Sequence, residues 1–127
     1  MTVINDVAMQ VLQSTEFITI VTQGEESPHL VGTWGDYIRA LGIKNDTILV
    51  PAGYLTQTEN NIRRNPHVQI LAASRQVQGS HGPGQGCLFT GTAEFRTEGG
   101  EYESVHEKFP WAHAVMVINI ETSVAQL

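Results

Sequence analysis

A chain of 127 residues with 41% hydrophobic content has the size of one domain and can bury a small core. Its 13 acidic and 7 basic residues give a net charge of −6, which excludes nucleic acid and anionic membrane surfaces as main partners, because both repel such a field. The single cysteine, Cys87, excludes an intramolecular disulfide. With no basic, apolar leader and no apolar run near the ~20 residues of a membrane span, the expected location is the cytoplasm.

Taken in order, Ile4, Val7, Ala8, Val11 and Leu12 recur at helical spacing and predict an amphipathic helix over 2–14. Residues 17–22 are β-rich and 23–28 form a polar turn. A long strand is expected over 29–38, with room to bend. Gly32 and Gly35 inside it suggest a bulge, or the close approach of something other than a side chain. A turn over 41–46 leads to the strand Ile48-Leu49-Val50, and Pro51 ends its ladder donors. Gly53 turns the chain, and Thr56 with Glu59 reads as a capping box that starts a helix at a Thr N-cap. Asn65-Pro66 stops that helix, since a residue before proline is pushed out of helical space. A strand over 68–73 follows.

The glycine-dense segment 79–86 reads as a mobile connection. It is not a dinucleotide fingerprint, because Pro83 interrupts it and no strand–turn–helix unit closes around it. A strand over 87–97 carries a bulge at Gly91. Tyr102, Val105, His106 and Phe109 predict a helix over 100–109, ended by Pro110, and the last strand is expected over 112–120. Several short strands with three short helices predict a mainly β domain, a small closed barrel plugged or flanked by its helices.

The residues with chemistry to offer are few. A glycine turn that feeds a helix N-terminus aims free amides at one spot and suits a phosphate; the plainer reading is a well-capped helix with no ligand. Trp34, Tyr37 and Trp111 read either as core aromatics or as a platform for a planar ring, and Trp34 stands between two glycines. His29, His67, His81, His106 and His113 lack the tight spacing of a metal site. Cys87 reads as a small buried hydrophobe. No hydrolytic triad is legible. Arg63 and Arg64 close a helix and serve its dipole.

Within 48–70, Asn61, Ile62, Asn65, Pro66 and Val68 follow the pattern Lys-x-x-Asn-apolar-x-x-Asn-Pro-x-Val, with Thr58 at the lysine position. This resembles the phosphate helix of the FMN-binding split-barrel family, which includes pyridoxamine phosphate oxidases and small bacterial FMN-binding proteins. Segments 22–25 and 28–31, Gly82-Pro83-Gly84, Phe95-Arg96-Thr97 and the C-terminal leucine extend the resemblance along nearly the whole chain. It is strongest to the small FMN-binding proteins.

The resemblance implies a six-stranded antiparallel split β-barrel of Greek-key type, with three short flanking helices and a single domain over 1–127. It also implies a homodimer with one FMN per subunit near the interface. By this likeness Gly32, Thr33, Trp34 and Tyr37 line the flavin, while Pro51, Ala52, Gly53 and Tyr54 pass beside the ribityl chain and phosphate. Trp111 packs near the isoalloxazine, and Leu127 reaches the partner's flavin. Gln57 and Thr58 stand where many relatives hold the phosphate with lysine, so the cradle is neutral, and Arg75 is the nearest cationic substitute. The implied function is that of a redox flavoprotein, for electron transfer or flavin-dependent reduction, fed by a redox partner protein or a small-molecule electron donor. The other class is a non-enzymatic module that holds haem, a deazaflavin or another planar cofactor.

Overall fold

Helix α1 spans Asp6–Ser14 in a computed structural model that describes residues 3–127. Asn5 caps it, the side chain accepting from the Ala8 amide at 2.9 Å. Residues 3–5 are not helical, and the expected start at residue 2 lies outside the described residues. Ala8, Val11 and Leu12 are buried in the main core, so the apolar stripe read from the sequence makes α1 the plug of the barrel.

Strands β1 (Phe17–Gln23) and β2 (Pro28–Trp34) form a hairpin in which Ile20 faces Val31. The strand expected over 29–38 stops at Trp34, and Gly35–Leu41 is a fourth helix that periodicity did not reveal, α2. The cause is tertiary. The Gly35 amide bonds the Glu16 carbonyl at 2.8 Å, and a Cβ on Gly35 would sit 2.0 Å from the Thr15 oxygen. The Arg39 guanidinium then donates to the carbonyls of Leu12 and Thr15 at 3.1 and 2.7 Å, which ties α2 to the end of α1. Gly32 also departs from expectation: what approaches it is a side chain, since a Cβ there would lie 1.8 Å from Cζ of Phe17.

Asn45 and Asp46 turn the chain with positive φ. The Asp46 carboxylate accepts from the amides of Ile4 and Val3 at 2.9 and 2.8 Å, and these bonds hold its pKa below the ordinary carboxylate range. Strand β3 (Thr47–Ala52) follows, then α3 (Thr56–Arg64), which Asn65 ends as predicted. The capping box does not form. Leu55 is the N-cap with no side-chain bond, Thr56 is already helical, and Glu59 pairs with Arg63 at 2.8 Å.

The glycine-dense segment is a paired hairpin in place of the expected mobile connection. Strands β4 (His67–Gly79) and β5 (Gly82–Arg96) run together up to a Gly79–Gly82 pair, with one register shift between Ser74 and Gln78. Gly82 and Gly84 take positive φ there, +128° and +118°, which explains the local run of glycine. Helix α4 (Gly100–Lys108) and strand β6 (Ala114–Gln126) complete the chain. The bulge expected at Gly91 falls on the strand opposite: Thr90 pairs Thr122 but Gly91 pairs Ile120, so the extra residue is Glu121 on β6.

All six strands form one antiparallel sheet in the order β2-β1-β4-β5-β6-β3, curled into a split barrel flanked by four helices. Its core joins Leu12, Ile18, Ile20, Ile70, Phe89, Met116 and Ile118, all nearly or fully buried. A second cluster lies outside β6, where Val105 of α4 meets Val115 and Val117. The run 114–118 is apolar throughout because that half of β6 is covered on both faces. Among the described residues, no helix is long and apolar enough to cross a membrane.

Candidate functional site

The two edge strands, β2 and β3, bond on one side only, so the sheet does not close on itself as expected, and the space between them is a cavity of about 210 Å³. Gly32, Thr33 and Trp34 line it from β2, Val50 and Pro51 from β3, and Gly53 and Leu55 from the turn into α3. Tyr37 of α2 and Trp111 close its flank, and Ile20, Val31 and Met116 form the rest of the lining. Seven of the residues proposed from the sequence therefore come together here: Gly32, Thr33, Trp34, Tyr37, Pro51, Gly53 and Trp111. The unexpected helix α2 is what brings Tyr37 round to face Trp111.

The aromatic groups hold one another. Tyr37 lies 5.6 Å from Trp111 and 4.9 Å from Phe109, and Phe109 lies 5.8 Å from Trp111, centroid to centroid. Trp34 rests edge-on against Phe17 at 5.3 Å. Both tryptophans are half exposed, at 50% each, so each presents an uncovered indole face or edge where a core residue would have none. Phe17 and Phe109 were missed in the sequence because their roles depend on the Phe17–Trp34 register and on the turn after α4.

Ala52 is buried and serves through its backbone, accepting the His113 amide at 2.8 Å and so anchoring the segment that carries Trp111. Tyr54 is 83% exposed and stacks on His113 at 4.7 Å. A side chain at Gly53 would meet nothing within 4 Å, and this glycine does not have positive φ. Its smallness leaves open space over the turn and meets no need of the protein's own packing.

At the start of α3, the amides of Thr56, Gln57 and Thr58 have no backbone acceptor among the described residues, because the first helical bond runs from Glu59 to Leu55. Thr58 is fully buried, and its Oγ1 has no hydrogen-bond partner among the described residues. Such an orphan costs about 1–3 kcal/mol unless a ligand or an ordered water satisfies it. The Gln57 side chain donates to Asn61 Oδ1 at 2.9 Å. Asn61, Thr22 and Arg64, which complete this network, were not among the expected site residues, although Asn61 belongs to the motif that marked the helix.

Leu127 and Arg75 lie elsewhere. They line a different hollow, of about 430 Å³, beside Ser74, His81 and the Gly82–Gln85 end of β5. Arg75 therefore does not sit at the α3 cradle within one chain. Burial raises the pKa of the Cys87 thiol. Among the described residues, no three His, Cys, Asp or Glu side chains converge as metal ligands would.

Residues 4–126 match the pyridoxamine 5'-phosphate oxidase family, nearly the whole chain. The chain belongs to that family. Within it, the chain is 42% identical over 111 residues to the FMN-binding protein of Nitratidesulfovibrio vulgaris (strain DSM 19637 / Miyazaki F), covering 87% of this chain and 88% of that protein. Solved structures share the fold at lower identity. A variant of HupZ from Group A Streptococcus superposes with a TM-score of 0.76 at 20% identity, over 97% of this chain and 99% of that one. A putative pyridoxamine 5'-phosphate oxidase from Listeria innocua does so with a TM-score of 0.66 at 18% identity, over 94% and 95%. The split barrel is thus the fold that this chain shares with those structures.

Proposed function

We propose that this protein binds FMN in the cleft between β2 and β3 and works as a redox flavoprotein, in electron transfer or flavin-dependent reduction. The observation that carries the reading is the buried, unpartnered hydroxyl of Thr58 in the first turn of α3, beside three free amides and below the open Gly53 turn. Those groups suit a phosphate. The half-exposed tryptophans and Tyr37 suit an isoalloxazine, and the relative that is 42% identical is named an FMN-binding protein.

When bound, FMN supplies the redox chemistry, and the protein's part is to hold and shield it. Thr58 and the α3 amides would hold the phosphate, with Gln57 as a neutral donor. Pro51, Ala52, Gly53 and Tyr54 would border the chain between phosphate and ring. Trp34, Tyr37 and Trp111 would fix the ring and keep water from its faces. Electrons would come from a redox partner protein or a small-molecule donor. The absence of a legible acid–base pair in the cleft fits a carrier or reductase.

The absorption spectrum of the purified protein after addition of FMN tests this. The expected result is a flavin-type spectrum with strongly quenched fluorescence, because an indole stands close to the ring. A colourless protein that takes up no FMN would select the second reading, a non-enzymatic module for haem or another planar ligand, which the lysine-free cradle favours. Bright holoprotein fluorescence would remove the tryptophans from the ring.

The protein is also proposed to act as a homodimer. Leu71, Leu88 and Val124 stand abreast on β4, β5 and β6, with Leu71 and Val124 47% and 56% exposed, and Leu127 is 85% exposed. A second copy of the same apolar surface would cover this row, as two-fold association requires, and would bring Leu127 to the partner's flavin. Sedimentation equilibrium should return twice the monomer mass of 13.9 kDa; a monomer at tens of micromolar would rule the dimer out.

A further inference from the structure

We propose that Arg64 supplies the positive charge for the phosphate end of the cleft, acting through buried Asn61 as a positioning residue, and thereby sets a preference for phosphorylated over unphosphorylated flavin. This rests on the FMN reading and adds a determinant of ligand selectivity to it. Gln57, Asn61 and Arg64 occur at i, i+4 and i+7 on α3 and so share one face. Asn61 is fully buried. Its Oδ1 accepts from Gln57 Nε2 at 2.9 Å and from Arg64 Nη2 at 2.8 Å, while its Nδ2 donates to Thr22 Oγ1 at 3.0 Å.

That arrangement fixes the amide's orientation, because a flipped Asn61 would set its donors against two others. Gln57 keeps a second N–H for a ligand. A helix-dipole role asks only for charge near the last turn, and Arg63 meets it from the surface, 70% exposed and paired with Glu59. Arg64 instead reaches back toward the helix start, the direction in which helical side chains lean. Its side chain is 44% exposed, but the amide it bonds is fully buried, and a field carried through a buried amide is screened less than one carried through water. The one carboxylate that competes for it among the described residues is Glu25, 79% exposed at 3.4 Å.

Dissociation constants of FMN and riboflavin, measured side by side on the full chain, test this. Arg64→Met is expected to weaken FMN by about fivefold, the scale of one partly exposed charge, and to leave riboflavin unchanged. Arg64→Lys should keep most of the preference. Glu25→Gln, a surface change that cannot unfold the helix, should raise the FMN-to-riboflavin preference by roughly twofold. Equal losses for both flavins would make Arg64 a purely structural residue and overturn the proposal, as would an unchanged ratio in Arg64→Met. If Arg64→Met fails to fold, a ratio that does not rise in Glu25→Gln overturns it. Wild-type protein that binds neither flavin overturns the FMN reading beneath it; wild-type that binds FMN while the ratios stay fixed overturns this proposal alone.

Discussion

Replacing Gln57 with lysine should tighten FMN binding by about tenfold and leave riboflavin binding unchanged. Gln57 stands in the first turn of α3, where its amide already donates to Asn61, and it offers a ligand only a neutral bond. A hydrogen bond to a charged group contributes about 1.5–3 kcal/mol against about 0.5–1.5 for a neutral one, and a difference near 1.4 kcal/mol is tenfold in affinity. A flexible ammonium also keeps a donor for Asn61 Oδ1, so the buried network survives the change. Titration of apoprotein with FMN, followed by flavin fluorescence, measures the shift. If affinity stays the same, the phosphate does not lie over this helix, and the cradle must be sought elsewhere in the cleft.

Phe89→Ala should cost about 3–5 kcal/mol of folding stability. Phe89 is fully buried in the main core, and its neighbours across the sheet are Ile70 on β4 and Ser123 on β6. Removing the ring leaves a hole bounded by strands that are bonded on both sides, so the walls have little freedom to close it. Against a typical total of about 5–15 kcal/mol, the loss takes a large share. Urea unfolding reads it as a lower midpoint at unchanged slope. A loss below about 1 kcal/mol would mean that the core collapses around the gap as freely as a surface site does.

The two substitutions probe opposite ends of what the amino-acid order makes visible. α1, α4 and most strands are legible because each buries one face, and the spacing of apolar residues records that face. Asn65-Pro66 is legible because proline constrains the backbone of the residue before it. α2 is not. Gly35 starts it because the Thr15 carbonyl leaves no room for a side chain, and Arg39 secures it on carbonyls more than twenty residues earlier. The Thr56–Glu59 capping box fails for a related reason: Leu55 takes the cap position, so a local signal is displaced by one residue and Glu59 turns to Arg63. The glycine hairpin was hidden because glycine weakens strand propensity wherever it stands, while pairing between β4 and β5 overrides propensity.

By itself, the sequence determined that the fold is mainly β and that a helix runs from just after the Gly53 turn to Asn65. It also marked Trp34, Tyr37 and Trp111 as aromatics with a choice between core and ligand. Composition, periodicity and the family pattern suffice for that, because each is written in neighbouring residues. Tertiary structure alone decided that these aromatics meet across the gap between β2 and β3, that Thr58 has a buried hydroxyl with no partner, and that Asn61 ties Gln57 to Arg64. Those facts depend on strand order and on a helix the periodicity did not record. Both arise from contacts between residues distant in the chain, where no local pattern carries them.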